Sequence, residues 1–202
     1  MPRFRFRRVR RSSPRSYTGS MTSTQERPGA AHELGEQLTI VGRVLHVGEE
    51  APDFTLEMLD TVSGAVRVVR LSDSAGRVRL LNVVNSLDTP VCDVETRRWD
   101  SLRADLPHDV EICTISMDLP FAQARWCSAA SVGHQALSAH KDDAFGRAYG
   151  VLVKEWRLLQ RAVFVITSEN RLAYVEYVAD QMSEPNYEAA IAAARAAAPS
   201  QH

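Results

Sequence analysis

The feature that most constrains this chain is residues 78–84, a run that is almost continuously apolar. Such a run is typical of a strand buried on both faces, and strands of this kind occur in sheets that helices cover on both sides. Residues 110–115 and 162–166 show the same pattern. Helical patterns alternate with these strands, over residues 90–106, 120–130, 143–149 and 187–198. We therefore predict an α/β domain with a central mixed sheet and flanking helices.

Shorter apolar segments predict additional strands. Residues 38–41 and 44–47 flank Gly42-Arg43, which predicts an N-terminal β-hairpin with a two-residue turn and a positive φ at the glycine. Alternating apolar and polar residues predict further strands at 53–59, 66–71 and 171–178. The chain shows no internal repeat, so we expect one domain.

The beginning of the chain has a different composition from the rest. It is rich in Arg, Ser, Thr, Pro and Gly, so we predict a disordered basic tail over residues 1–31 and a folded domain over residues 32–202. The tail lacks the apolar stretch of a secretory signal, although its Arg- and Ser-rich composition fits an organellar transit peptide. Met21 offers a simpler interpretation, in which translation begins there and residues 1–20 are a mis-assigned start.

Charge and hydropathy narrow the classes of function. The net charge of −1 is an average over two unlike parts. Residues 1–20 carry seven arginines and no acid, whereas the remainder carries 17 basic and 25 acidic residues, a net charge of −8. An acidic domain argues against general nucleic-acid binding, which needs a positive surface. No run approaches the roughly 18 apolar residues of a membrane span. We expect a cytoplasmic protein that binds neither nucleic acid nor membrane.

The cysteines and histidines form no recognisable metal or disulfide pattern. Cys92, Cys113 and Cys127 are an odd number without CxxC spacing, which argues against a zinc site and against the disulfide framework of a small secreted domain. The six histidines show neither HxxxH nor HExxH spacing. We therefore expect no metal ion, and Cys113, inside a predicted strand, is expected to serve packing alone.

Cys92 is the one cysteine with a distinctive local sequence. Thr89 suits the N-cap of a helix and Pro90 suits its first position, so Cys92 falls in the first helical turn. Free backbone N–H groups and the helix dipole favour a thiolate there, and the Thr89 hydroxyl is placed to bond the sulfur or a bound oxygen. The alternative is a buried, unreactive cysteine. The place at the end of a central strand, where α/β sheets bind ligands, favours a reactive one.

Three blocks of the sequence resemble one protein family. Residues 82–92, NVVNSLDTPVC, resemble the active-site segment of bacterial thiol peroxidases, a subfamily of atypical two-cysteine peroxiredoxins. Residues 118–127, DLPFAQARWC, resemble the second signature of that subfamily, which carries its resolving cysteine. Residues 184–190, EPNYEAA, resemble a block near its C-terminus. The resemblance extends from about residue 32 to residue 197, and the long second block makes it specific.

This resemblance implies a thioredoxin-like fold and a thiol-dependent peroxidase that reduces hydrogen peroxide and organic hydroperoxides. It implies that Cys92 is the peroxidatic cysteine, which becomes a sulfenic acid, and that Cys127 then forms a disulfide with it. Thr89 and Arg161, the latter in an Arg-Ala-Val block before the strand at 162–166, are implied to assist the attack. The resemblance also implies thioredoxin as the reductant, a homodimer, and no metal or organic cofactor.

Two segments depart from the family pattern. Asn85 stands where peroxiredoxins usually carry a proline, four residues before the threonine. We expect either a more mobile and better hydrated site or, if the amide points to solvent, no change in catalysis. Residues 154–160 are shorter than the usual glycine-containing loop, which affects the surroundings of Arg161 and the dimer surface.

Two other functions use the same sequence features. A redox sensor that relays oxidation to a partner protein needs the same thiolate but has little turnover, so consumption of peroxide with thioredoxin and its reductase distinguishes it from a peroxidase. A non-enzymatic protein whose basic tail contacts nucleic acid is disfavoured by the acidic domain.

Overall fold

The computed structural model describes residues 25–198, which form two β-sheets and four α-helices. The strands are β1 (Glu26–Glu33), β2 (Glu36–Val41), β3 (Thr55–Leu59), β4 (Val66–Arg70), β5 (Val78–Val83), β6 (Val110–Ser116), β7 (Gln135–Ser138), β8 (Leu152–Val153), β9 (Leu158–Leu159), β10 (Ala162–Ile166) and β11 (Leu172–Tyr177). The helices are α1 (Pro90–Leu102), α2 (Pro120–Ala130), α3 (Ala144–Ala148) and α4 (Tyr187–Ala197). Within this part of the chain, no helix is long and apolar enough to cross a bilayer.

The larger sheet has the strand order β11-β10-β5-β6-β7-β3-β4. The strands β5, β6 and β7 run parallel, and the remaining neighbours are antiparallel. The predicted central mixed sheet is therefore confirmed. Because β5 is an interior strand of the sheet and leads into α1, the start of α1 lies at the carboxyl end of a central strand.

Side chains of the central strands enter two apolar clusters, one on each face of the sheet. Leu81 of β5 packs in a cluster with Tyr149, which lies just after α3. Its neighbour Leu80 packs in the other cluster, with Trp99 of α1 and Ile191 of α4. Successive residues of a strand point to opposite faces, so a strand covered on both sides must be apolar throughout. The interpretation of residues 78–84 is thus confirmed.

The N-terminal hairpin exists, but residues other than the predicted ones form it. It consists of β1 and β2, which pair antiparallel on either side of Leu34 and Gly35, whereas residues 44–47 are not a strand. The predicted hairpin around Gly42-Arg43 is therefore wrong, although Gly42 does have a positive φ of 109°. A Cβ at Gly42 would collide with the Arg147 carbonyl oxygen. Glycine is therefore required here because the chain passes close to the end of α3.

The folded part also begins earlier than predicted. Residues 26–31 were predicted to belong to the disordered tail, but they lie in β1, so the boundary at residue 32 is wrong for them. Pro28 and Gly29 look like strand breakers, yet they sit where the pairing register shifts between Pro28 and Ala31, and Gly29 has a φ of 70°. The rest of the predicted tail, residues 1–24, lies outside the described residues.

A buried chain of hydrogen bonds joins the larger sheet to α1. Asn82 Nδ2 donates to Thr114 Oγ1 at 3.2 Å, and Thr114 Oγ1 lies 2.7 Å from His134 Nε2. His134 Nδ1 lies 3.2 Å from Asp100 Oδ1. A carboxylate only accepts, so Nδ1 carries the ring hydrogen and Nε2 accepts from the threonine hydroxyl. Burial lowers the pKa of His134 to about 4, although the Asp100 carboxylate acts in the opposite direction.

A buried neutral histidine makes the fold sensitive to mild acid. In the unfolded chain a histidine has a pKa of about 6.5, above the folded value, so the unfolded state binds more protons as the pH falls below that value. The free energy of unfolding should be highest, for this group, above pH 6.5. It should fall towards pH 4 by up to about 1.4 kcal/mol per pH unit. Urea unfolding of His134→Gln should show a smaller pH slope in this window, and equal slopes would contradict the assignment.

Candidate active site

Cys92 lies in the first turn of α1, as predicted. Thr89 is the N-cap residue with an extended backbone, and Pro90 occupies the first helical position. The Cys92 side chain is fully buried, and the cysteine is free. Its place in the first turn puts it at the end of the helix where backbone N–H groups and the dipole favour an anion. The predicted local structure around this cysteine is therefore confirmed.

Arg161 meets the cysteine sulfur. It directly precedes β10, and its Nη2 lies 3.4 Å from Cys92 Sγ. Its Nη1 pairs with the carboxylate of Glu95, and both side chains of this ion pair are almost completely buried. Nη2 also donates to the backbone oxygen of Gln181 at 3.0 Å. Two fixed acceptors therefore orient the guanidinium so that its positive charge faces the sulfur.

Thr89 lines the same site but does not contact the sulfur. Its Oγ1 donates to the Ser86 carbonyl at 2.9 Å and makes no capping bond. A hydroxyl that donates in this way keeps its lone pairs for accepting. The predicted bond to the cysteine sulfur is thus not made in this structure, while a bond from Thr89 to a bound oxygen ligand stays a prediction.

The amide of Asn85 points into the site. Asn85 is only 6% exposed, so the alternative in which its amide points to solvent is wrong. Its Nδ2 donates to the Leu159 carbonyl at 2.6 Å and to Gln181 Oε1 at 3.1 Å. Its Oδ1 lies 3.8 Å from Cys92 Sγ and accepts the thiol hydrogen. The residue that replaces the usual proline therefore contacts the sulfur itself.

The loop that carries Asn85 into α1 is held by a carboxylate. Asp118 accepts hydrogen bonds from Ser86 Oγ at 2.8 Å, from the Leu87 backbone N–H at 2.9 Å and from Ser116 Oγ at 2.8 Å. Three donors on one carboxylate fix its position. Asp118 opens the second sequence block, so this contact joins the first two family blocks in space.

Three residues of the site were not predicted from the sequence. The sequence spacing could have identified Glu95, because a residue three positions after Cys92 on a helix lies on the same face as the cysteine. Asp118 had a weaker signal, its place at the start of the second block. Gln181 had none, because it lies far along the chain from the other site residues and belongs to no helix or strand.

Cys127 lies in the last turn of α2 and opens to a different cleft. It is half-buried, and burial raises its pKa to about 11. It packs against the small apolar cluster that contains Cys92 and Trp126, but both cysteines are free. The cleft at Cys127 has a volume of about 570 Å³ and is walled by residues of β3 and β7. The structure thus places the two cysteines on one cluster without joining them.

Cys113 has the surroundings of a packing residue. It is buried in the core cluster that contains Leu81, and burial raises the pKa of its thiol. Over residues 25–198, no group of three or more histidine, cysteine or acidic side chains is arranged to hold a metal ion.

The cleft beside the Cys92 site has a volume of about 170 Å³. Thr89 and Arg161 line its polar part, and Trp156, Leu158 and Met182 contribute larger apolar side chains. Trp156 and Leu158 come from residues 154–160, the segment expected to affect the surroundings of Arg161. Both side chains line the same cleft as the arginine, while an effect of this segment on the dimer surface stays a prediction.

Because the Arg161–Glu95 pair is buried, we expect substitution of Glu95 to lower the free energy of unfolding more than substitution of an exposed glutamate. Glu95→Gln keeps the shape of the side chain but leaves the buried Arg161 charge without a counter-charge, which should lower the free energy of unfolding by about 3–5 kcal/mol. The matched control is Glu26→Gln, because Glu26 pairs with Lys154 at 2.8 Å where both are exposed. That change should cost less than about 1 kcal/mol. Equal losses in urea unfolding would show that the Arg161 charge is not confined to the buried site.

Comparisons with known proteins assign this chain to a family. The family model described as Redoxin matches residues 46–191. The thiol peroxidase of Halalkalibacterium halodurans is 47% identical over 164 residues, which cover 81% of this chain and 95% of that protein. The thiol peroxidase of Bacillus subtilis is 45% identical over 163 residues, 80% of this chain and 94% of that protein.

Solved structures agree with these matches. A peroxiredoxin-like protein from Aquifex aeolicus superposes with a TM-score of 0.73 at 30% identity, covering 84% of this chain and 98% of that chain. A thiol peroxidase from Chromobacterium violaceum gives a TM-score of 0.70 at 19% identity, covering 79% and 91%, which supports the fold alone. The thioredoxin-like α/β fold is thereby confirmed, and the chain belongs to the Redoxin family.

Proposed function

We propose that this protein is a thiol-dependent peroxidase that reduces hydrogen peroxide and organic hydroperoxides through Cys92. The observation that carries the proposal is the approach of Arg161 Nη2 to Cys92 Sγ at 3.4 Å, in a buried site at a helix N-terminus. A cation and a helix dipole at the sulfur favour the thiolate, which is the attacking form of a cysteine. The curated relatives, which the chain covers almost completely, are named thiol peroxidases and support the same activity.

In the first step the Cys92 thiolate attacks one peroxide oxygen. An S–O bond forms and the O–O bond breaks, so the sulfur is oxidised to a sulfenic acid. The other oxygen leaves as hydroxide or alkoxide and takes up a proton to give water or an alcohol. The charge that develops on the leaving oxygen needs donors already in place, and the Arg161 guanidinium and the N–H groups at the start of α1 supply them. The Thr89 hydroxyl accepts the hydrogen of the bound peroxide.

The walls of the cleft support organic hydroperoxides as substrates. Trp156, Leu158 and Met182 line the cleft beside the polar groups that face the reacting oxygens. An alkyl group placed against these side chains loses its contact with water, which favours binding in proportion to the buried apolar area. The cleft therefore suits a peroxide with a polar end and an apolar end.

The second step requires a local change at α2. Cys127 attacks the sulfenic sulfur, an S–S bond forms, and the sulfenic oxygen leaves as water. In the described structure the Val132 N–H donates to the Cys127 carbonyl at 3.0 Å, which closes the end of the helix. Arg97 of α1 holds the same end, since it donates to the Ala130 carbonyl at 3.1 Å and lies 5.3 Å from the centre of the Trp126 ring. We propose that this last turn unwinds and releases Cys127 towards Cys92.

Unwinding also activates the second thiol. Burial holds the pKa of Cys127 at about 11 in the folded helix, so the group is a thiol at neutral pH. Exposure to water returns a cysteine towards its ordinary pKa of about 8.5 and so increases the thiolate fraction at neutral pH. The resemblance to thiol peroxidases supports three further proposals: thioredoxin as the reductant of the disulfide, a homodimeric assembly and a cytoplasmic location.

The roles of the cysteines are tested by three matched serine variants. Cys92→Ser should abolish peroxide consumption in an assay with thioredoxin and its reductase, because a serine hydroxyl is not appreciably ionised and forms no sulfenic acid. Cys127→Ser should lose the thioredoxin-linked turnover and accumulate sulfenic or sulfinic Cys92, seen by mass spectrometry of the Cys92 peptide. Cys113→Ser is the control and should keep turnover.

Each contrary result has a definite meaning. Full activity of Cys92→Ser would overturn the proposed function. Unimpaired multiple turnover of Cys127→Ser would show that another thiol resolves the intermediate. Oxidation of wild-type Cys92 without turnover of peroxide would favour a redox sensor over a peroxidase.

A further inference from the structure

The orientation of the Asn85 amide is set by its neighbours. Its Nδ2 lies between two acceptors, the Leu159 carbonyl at 2.6 Å and Gln181 Oε1 at 3.1 Å. Gln181 is itself oriented, because its Oε1 accepts from the Arg161 backbone N–H at 2.9 Å and its Nε2 donates to the Val178 carbonyl at 2.7 Å. Turning the Asn85 amide over would set oxygen against oxygen at both contacts. The side-chain oxygen of Asn85 must therefore face Cys92 Sγ.

This oxygen acts differently on the successive forms of the cysteine. An amide oxygen accepts hydrogen bonds and donates none, so it offers no hydrogen bond to a thiolate. A sulfenic acid carries a hydroxyl that can donate. The distance of 3.8 Å from Asn85 Oδ1 to Cys92 Sγ suits a hydroxyl placed between them, because the S–O bond and an O–H···O bond of about 2.7 Å meet at an angle at the hydroxyl oxygen. The contact therefore favours the two forms of the cysteine that carry a hydrogen, the thiol and the sulfenic acid, over the thiolate.

We propose that Asn85 is a catalytic residue that holds the sulfenic acid of Cys92 in the folded site and so delays its reaction with Cys127. The proposal rests on the proposed function, since it needs a sulfenic acid on Cys92. Both partners of the contact are buried, so water is poorly placed to replace the hydrogen bond. The last turn of α2 has to unwind before Cys127 reaches the sulfur, and a sulfenic acid anchored by Asn85 has to be released in the same step.

A held sulfenic acid has a second possible fate. If another peroxide arrives before Cys127, the sulfenic acid gives up its proton and the sulfenate attacks one peroxide oxygen. A second S–O bond forms, the O–O bond breaks, and the other oxygen leaves as hydroxide or alkoxide and takes up the proton. Cys92 then becomes a sulfinic acid. When the disulfide with Cys127 forms more slowly, a larger fraction of the sulfenic acid undergoes this second oxidation. We expect the protein to pass more readily to sulfinic Cys92 than a variant in which position 85 has no acceptor.

The test compares two buried asparagines in single-turnover oxidation. Asn85→Leu removes the acceptor at the sulfur, while the control Asn82→Leu removes an amide that bonds Thr114 in the sheet. Each protein is mixed with one equivalent of peroxide, quenched at intervals and measured by mass spectrometry. Formation of the disulfide should be about fivefold faster in Asn85→Leu, the factor for a net hydrogen bond of about 1 kcal/mol. At excess peroxide its share of sulfinic Cys92 should fall, and Asn82→Leu should match the wild type in both measurements.

Failure of this inference and failure of the proposed function give different experimental results. Sulfenic acid that forms normally in Asn85→Leu but converts to the disulfide at the wild-type rate overturns this inference alone. Wild-type protein that forms no sulfenic acid on Cys92 overturns the proposed function and the inference with it. Asn85→Ala, which removes the amide without adding bulk, is the second variant if leucine prevents folding, and the same two outcomes apply to it.

Discussion

The buried ion pair between Arg161 and Glu95 is the interaction on which the site depends. A guanidinium removed from water needs a counter-charge, and Glu95 supplies it from the helix whose first turn carries Cys92. One rigid helix therefore holds both the sulfur and the group that fixes the arginine. The helix α1 therefore sets the distance between the cation and the sulfur, with the Gln181 backbone oxygen as the second acceptor that orients the guanidinium.

Sheet topology explains how these residues meet from distant parts of the chain. The strands β5 and β10 are antiparallel neighbours, and Ala162 pairs with Val83, so the first residue of β10 lies beside the last residue of β5. Arg161 precedes the former and α1 follows the latter. The arginine and the helix start therefore arrive at the same edge of the sheet, where open α/β sheets bind ligands. Gln181 joins them because the segment after β11 returns to this edge, where the Gln181 N–H donates to the His32 carbonyl of β1.

The sequence predicted the elements whose pattern is local and missed those that depend on distant contacts. The buried strands β5, β6 and β10 and the helix start at Thr89 follow from apolar periodicity and capping residues. The hairpin was misplaced because Gly42 looks like a turn glycine, whereas its positive φ serves a contact with the end of α3. The two-residue strands β8 and β9 are too short to show a period. The direction of the Asn85 amide depends on Gln181, so no local pattern contains it.

The attachment of α2 to α1 involves an exposed side chain, whereas the contact between Arg161 and the sulfur is buried. Arg97, which holds the end of α2, has a side chain that is 48% exposed and also pairs with Asp93 in contact with solvent. Ions in solution screen such exposed charges but hardly reach a buried pair. We therefore expect salt to act on the exposed Arg97 side chain at the end of α2 more than on the buried pair beside Cys92. In the proposed reaction, the step that needs Cys127 should then depend on the salt concentration more than the step at Cys92.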